Sequence, residues 1–249
     1  MKVVFLGTAS AISTAERDNT SLLIENILID CPGSAFSKLL KVGYDPLEYT
    51  EHVIITHRHT DHLYGLPAFL DTLQLRKRKK ILFLYILEEY VELLEKLFSI
   101  FDLTGDKMNF LKLIPFKEGE VLIKNDSLVV ESFPVRHPVK NVGLKIFNSD
   151  VSLVYSSDTE PCETLVDKAK GVTVLIHEAT WSEVLTDRKE GHTSVEEAAR
   201  MAALLQVKLL CLVHLGEELI GREEIIFQQA RRYFPGKILI PKDLERLII

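Results

Sequence analysis

The sequence predicts an α/β protein, a four-layer αββα sandwich of two mixed β-sheets flanked by helices. Three observations lead there. Short apolar runs of strand length predominate at the start and middle of the chain, and helical periods interrupt them. Hydrophobic residues make up 47% of the 249 residues and charged residues 27%, which suits a large core and disfavours disorder. No Gly/Ser-rich or Pro-rich linker, repeat or low-complexity tract divides the chain, so residues 1–249 read as a single domain.

The elements follow in order. Residues 2–6 are a buried-type strand, and residues 21–25 and 27–30 form a hairpin across Glu25-Asn26. A helix is expected over 34–42, ended by Gly43. Residues 52–56 are a strand that runs straight into a histidine-rich segment, and 63–75 read as helix. A strand over 81–85 precedes a helical period over 88–101. Strands are expected at 110–114, 121–123, 128–133, 142–147, 151–155, 173–177, 208–213 and 237–240. Helices are expected at 194–205 and 223–234.

Composition narrows the functional classes. A formal net charge of −6 disfavours a non-specific nucleic-acid binder, although a local basic patch is compatible with it. Cys31, Cys162 and Cys211 lie far apart and lack C-x-x-C spacing, which argues against a disulfide framework and for reduced thiols in a cytoplasm. No apolar run reaches the length of a membrane span, and the run over residues 1–7 is too short for a signal peptide.

The chemistry centres on His57-Arg58-His59-Thr60-Asp61-His62. In an extended segment, side chains two apart point to the same side, so His57 and His59 can reach one cation together. Asp61 and His62 come one turn later and can reach a second. Imidazole with carboxylate suits zinc, manganese or iron.

This His-x-His-x-Asp-His pattern resembles the signature of the metallo-β-lactamase superfamily, and within it the ribonuclease Z branch of tRNA 3′-processing endonucleases. Leu6-Gly7-Thr8, Arg17 with Asn19-Thr20-Ser21, Ile29-Asp30-Cys31-Pro32-Gly33 and Gly65-Leu66-Pro67 are similar to further segments of that branch. The resemblance spans nearly the whole chain and implies the metallo-β-lactamase fold and two divalent metal ions. It implies that His137 completes the first metal's histidine set, that Asp158 bridges both metals and that His214 serves the second. His137, Asp158 and His214 each follow a strand-like run, where active sites of open α/β sheets gather.

The resemblance also assigns roles. Asp61 accepts a proton from the nucleophile. His192, in Gly191-His192-Thr193-Ser194, looks like the group that protonates the leaving oxygen. Glu178, in His177-Glu178-Ala179-Thr180-Trp181, looks like the residue that orients His192. His177 is expected to pack inside, and His52 to face solvent.

Three departures stand out. The tRNA-processing relatives carry a long arm between the positions matched by His137 and Asp158, whereas residues 138–157 here suit only a hairpin. Ile86-Leu87 replaces the family's Gly-Pro, and Leu212-Val213-His214-Leu215-Gly216 stands where Thr-His followed by Ser-x-Arg-Tyr is common. One basic run, Arg76-Lys77-Arg78-Lys79-Lys80, is a candidate contact for RNA phosphates, a solvated connection being the alternative. The expected function is phosphodiester hydrolysis resembling ribonuclease Z. RNA or tRNA is one substrate class and a small or cyclic phosphodiester the other; a di-iron redox protein on the same fold is the alternative of another class. Family relatives are often dimers, so a homodimer is also considered.

Overall fold

The computed structural model describes all 249 residues, which divide into two compact units. One comprises Met1–Gly7, Asn19–Lys117 and Asp243–Ile249; the other comprises Thr8–Asp18 and Glu118–Lys242.

The first unit is built from β1 (Lys2–Gly7), β2 (Ser21–Ile24), β3 (Ile27–Ile29), α1 (Ala35–Lys41), β4 (His52–Ile54), α2 (Thr60–Leu63), α3 (Leu66–Leu75), β5 (Leu82–Leu87), α4 (Val91–Ile100) and β6 (Leu111–Phe116). The second holds β7 (Val121–Lys124), β8 (Val129–Pro134), β9 (Val142–Phe147), β10 (Ser152–Tyr155), α5 (Glu163–Ala169), β11 (Val174–Glu178), α6 (Val195–Leu205), β12 (Leu209–Val213), α7 (Glu223–Arg231) and β13 (Lys237–Leu239). The chain then returns to the first unit with β14 (Glu245–Ile248).

Each unit contains one seven-stranded mixed sheet, ordered β14-β1-β2-β3-β4-β5-β6 and β13-β12-β11-β10-β9-β8-β7. Both follow one plan. Antiparallel pairing from β14 through β3, and from β7 through β10, gives way to parallel pairing onward from β3 and from β10. Parallel neighbours need crossovers, which the intervening helices supply. Strands inside the sheets are apolar without alternation, as in β1, β3 and β11, the mark of strands covered on both faces. Pro115 lies in β6, an edge strand, where its missing N–H leaves no ladder bond unmade.

The expected elements are present, with three differences. The helix expected over 63–75 is two, because the backbone at Gly65 abuts the turn after β3. A Cβ there would lie 2.3 Å from the Pro32 carbonyl carbon, and Gly65 N–H donates to Cys31 O at 3.0 Å. Two elements had no expectation. Helix α5 buries only Leu165 and Ala169, too little for a periodic signal. Strand β14 exists by pairing with β1 at the far end of the chain. Helix α6 starts where expected, with a capping box in which Ser194 and Glu197 exchange side-chain-to-backbone bonds; such a cap contributes about 1 kcal/mol.

The basic run at residues 76–80 is altered by the fold. Arg78 is buried, and its guanidinium donates to the carbonyls of Pro46, Leu47, Thr50, Lys80 and Ile81. That arginine holds the loop leading into β4 and is not exposed to a phosphate. Arg76 pairs with Asp45 at 3.3 Å and Lys80 with Glu48 at 2.9 Å. No helix is long and apolar enough to cross a membrane. The cysteines are all free thiols.

Candidate metal centre and catalytic residues

In the first unit, the candidate site residues follow β3 and β4, the first parallel pair of the sheet. Asp30 follows β3, and the segment from His57 to His62 follows β4. The structure brings the histidine motif together: the His57 ring lies 4.7 Å from that of His59 and 4.2 Å from that of His62, and His62 Nε2 lies 3.2 Å from Asp61 Oδ2. The Cys31 N–H donates to His62 O at 2.8 Å, so the turn carrying Asp30 is tied to α2.

Asp30 is fully buried. Its Oδ1 accepts from Thr56 N–H at 2.9 Å and from the Thr56 hydroxyl at 3.0 Å, while Oδ2 lies 2.7 Å from His62 Nδ1. Burial pushes the Asp30 carboxyl above its ordinary value, opposed by His62 and Thr56. The Thr56 hydroxyl hydrogen is directed at Asp30, so its oxygen accepts from His57 Nδ1–H at 3.0 Å.

The second unit repeats this arrangement with different partners. Asp158 follows β10, Glu178 ends β11 and His214 follows β12. Glu178 is almost wholly buried; Oε1 accepts from Thr159 N–H at 2.8 Å and lies 2.9 Å from His192 Nδ1. Its Oε2 accepts the Thr180 hydroxyl at 2.7 Å, and the same hydroxyl oxygen therefore accepts from His214 Nδ1–H at 2.8 Å. His214 Nε2 lies 3.2 Å from Asp158 Oδ2. The His192 ring stacks at 5.4 Å on His214 and meets the His137 ring edge-on at 5.2 Å. Ligand-type atoms of Glu178, His192 and His214 all lie within 4.8 Å of one another.

Loop geometry holds these groups. Ser157 and His214 have left-handed backbones, at φ 54° and 56°, a conformation that costs energy in non-glycine residues and gathers at functional sites. Asn141 is buried and bridges the Asp158 turn, accepting from the Ser157 hydroxyl at 3.0 Å and donating to Asp158 O at 2.8 Å. His137 Nδ1 donates to Gly191 O at 2.8 Å, and burial holds its pKa below the ordinary imidazole value. His177 packs inside, its Nδ1–H donating to Glu178 O at 2.7 Å. His52 is more enclosed than expected, with its side chain 12% exposed, stacked on Phe83 and bonded to Tyr85 Oη.

The donor chemistry fits divalent metal ions. In His57, His62, His137 and His214 the Nδ1 nitrogen is engaged by a hydroxyl, a carboxylate or a carbonyl. That selects Nε2 as the ligand nitrogen, and a carboxylate behind an imidazole raises its basicity. The sequence reading missed the parts of Asp30, Thr56, Asn141 and Thr180 in this. Asp30 and Thr180 stood inside quoted motifs, but nothing local shows which histidine each would hold; Asn141 carries no signal in the sequence.

Comparison with known proteins agrees. A family profile described as Anti-Pycsar protein Apyc1 matches residues 1–229. Ribonuclease Z of Methanothermobacter thermautotrophicus is 29% identical over 289 residues, covering 94% of this chain and 92% of its own. The metallo-β-lactamase fold protein YhfI from Bacillus subtilis superposes with a TM-score of 0.83 at 24% identity, covering 99% of this chain and 98% of its own. The short form of human tRNase Z does so with a TM-score of 0.77 at 23% identity, covering 100% and 99%. The chain belongs to the Anti-Pycsar protein Apyc1 family and is a ribonuclease Z-like, metal-dependent phosphodiester hydrolase with the metallo-β-lactamase fold.

Proposed function

We propose that His57, His59, Asp61, His62, His137, Asp158 and His214 hold two divalent metal ions, and that both units work as one functional domain over residues 1–249. Zinc suits this cysteine-free set of imidazoles and carboxylates, with manganese or iron as alternatives. The observation that carries the reading is the paired arrangement of a buried carboxylate, a threonine and two histidines, Asp30 with Thr56 and Glu178 with Thr180. Bound divalent ions supply positive charge for the phosphate oxygens and acidify the attacking water.

The chain's own residues do the rest. Asp61 accepts a proton from the attacking water at a carboxylate oxygen. His192, anchored through Nδ1 to Glu178, directs Nε2 at the leaving oxygen and protonates it as the P–O bond breaks. Glu178 keeps the imidazole oriented and stabilises its cationic form.

A small or cyclic phosphodiester is the better-supported substrate. Residues 138–157 contain only β9, β10 and the turn at Asn148, so they form no long arm. Arg78 is committed to backbone carbonyls, and Arg76 and Lys80 have acidic partners. RNA, including precursor tRNA, is the second reading, supported by the ribonuclease Z relatives, with Arg76, Lys77, Lys79 and Lys80 as phosphate contacts and a homodimer as the working form. Those relatives do not favour the di-iron redox alternative. Reduced thiols suit a cytoplasmic setting.

Assay of the purified chain on bis(p-nitrophenyl) phosphate, cyclic nucleotides and precursor tRNA, with zinc or manganese, tests both readings. Turnover of the small diesters with no tRNA cleavage supports the first, and the reverse supports the second. No turnover of any diester overturns the proposal. Metal analysis and light scattering give the ion content and the oligomeric state.

A further inference from the structure

Residues 188–192 form an irregular strap before α6 that carries both Gly191, the acceptor for His137, and His192. The strap comes very close to residues 136–138. Gly191 has φ 77°, and a Cβ there would lie 2.5 Å from Pro138 Cδ. Only glycine allows both that backbone and that approach.

One side chain grips this strap from outside the catalytic set. Glu160 follows Asp158 and Thr159 and is 17% exposed. Its Oε1 accepts from Gly191 N–H at 3.1 Å and lies 3.4 Å from Arg188 Nη2, while Oε2 lies 3.1 Å from Arg136 Nε. Its backbone N–H donates to Arg136 O at 2.8 Å, fixing the stem from which the carboxylate reaches. Arg136 and Arg188 are 72% and 66% exposed, so their ion pairs add little by themselves. The Gly191 N–H bond is the main tie. Neither the histidine motif nor the Glu178–His192 pair uses Glu160.

We propose that Glu160 is a positioning residue that latches the 188–192 strap, so that Gly191 O stays on His137 and His192 stays on Glu178 in line with the leaving oxygen. This rests on the reading of His192 as proton donor. Because the latch acts on the proton donor, its loss falls hardest on substrates whose leaving group is a strong base. An alkoxide needs the proton as the P–O bond breaks; a p-nitrophenolate departs without it.

The chain offers its own reporter. Trp181 is the one tryptophan, is 8% exposed, and donates through Nε1 to His192 O at 3.4 Å. The variants Glu160→Ala and Glu160→Gln are measured beside the wild type. The first readout is acrylamide quenching of Trp181 emission in chelator-treated protein. The second is the rate on a p-nitrophenyl phosphodiester and on a dialkyl-type diester such as a dinucleotide. The alanine variant is expected to lose about 10- to 100-fold on the dinucleotide, and about 3-fold or less on the nitrophenyl diester, the scale of a slightly misplaced acid. Its Trp181 becomes more accessible to quencher. Glutamine keeps an oxygen for Gly191 N–H and restores most of both.

Equal losses on the two diesters, no loss on either, or unchanged quenching overturns the latch. A wild type that turns over neither diester sinks the phosphodiesterase reading instead. The quenching contrast between the alanine and glutamine variants then decides the latch alone.

Discussion

Asp30 in the first unit and Glu178 in the second do similar work from different strands. Asp30 follows β3, where antiparallel pairing turns parallel, and Glu178 ends β11, the next strand beyond that turning point in its own sheet; each is buried, and each holds a threonine hydroxyl that in turn fixes a histidine. They differ in the second histidine. Asp30 grips His62, a member of the compact motif, whereas Glu178 grips His192, which comes from a loop and is 20% exposed. The same local device thus serves a proposed metal ligand in one case and a proposed proton donor in the other. A histidine's task follows from what Nε2 faces, while the carboxylate sets which way the ring points and how basic it is.

The sharpest way to break this comparison is to neutralise both carboxylates. Glu178→Gln is expected to lower kcat by about 10²- to 10⁴-fold, the worth of a general acid, while bound metal falls by less than about tenfold. Asp30→Asn is expected to lower metal affinity by about 10- to 100-fold, with kcat of the metal-saturated enzyme less affected. Metal titration and steady-state kinetics on both variants check this. If the two lose metal equally and neither shows a separate kcat defect, the division of labour is wrong.

Gly65 tests how the first unit keeps Asp30 against His62. A Cβ at this position would meet the backbone of Pro32 at 2.3 Å, with no flexible side chain to move aside. Gly65→Ala is expected to cost about 1–3 kcal/mol in urea unfolding and to weaken metal binding by separating the turn from α2. Gly191 is its counterpart in the second unit, held against Pro138; the same substitution there is expected to lower kcat more than metal content. Matching effects at both glycines would remove the contrast.

These expectations also show what was legible in the sequence. The first unit's proposed ligands lie within six residues, after an apolar strand, so the pattern alone picks them out as candidates. The second unit draws His137, Asp158, Glu178 and His214 from separate strand ends, and only resemblance to a family joins them. Glu178 holding His192 was foreseen in this way. Asp30 holding His62 was not, because the two are far apart in sequence and Asp30 looked like part of a turn. Arg78 shows the opposite error. Five consecutive basic residues look alike on paper, but only the fold reveals that one is buried among carbonyls.

The threonines give a smaller effect with a matched control. Thr56→Val and Thr180→Val each remove one acceptor from a histidine Nδ1–H while keeping the side-chain shape. Each loss is worth about 1–2 kcal/mol, or about tenfold in metal affinity. Thr180 also lies 3.3 Å from His192 Nδ1, so its loss is expected to lower kcat as well, which Thr56→Val does not. Equal kinetic profiles for the two valine variants would argue that the hydroxyls act only as packing.

The smallest effect concerns a histidine whose Nδ1 meets a tyrosine hydroxyl instead of a carboxylate. His52 begins β4, the strand that leads into the metal motif, but its ring packs on Phe83, and Tyr85 Oη lies 3.2 Å from its Nδ1. Burial lowers its pKa from 6.5, and Glu51 opposes this only in part. The folded value therefore lies below the unfolded one, and the unfolded chain takes up the proton first as pH falls. The contribution of neutral His52 is fully present above pH 6.5 and is lost progressively as pH falls through the folded value. Chelator-treated wild type should show a urea midpoint that drops between about pH 7.5 and about pH 5, and His52→Gln should flatten part of that slope while leaving metal affinity unchanged. An unaltered slope would mean that His52 titrates alike in both states. A change in metal affinity would mean that β4 transmits strain from its first residue to His57, and that the histidine motif is less self-contained than its compact sequence suggests.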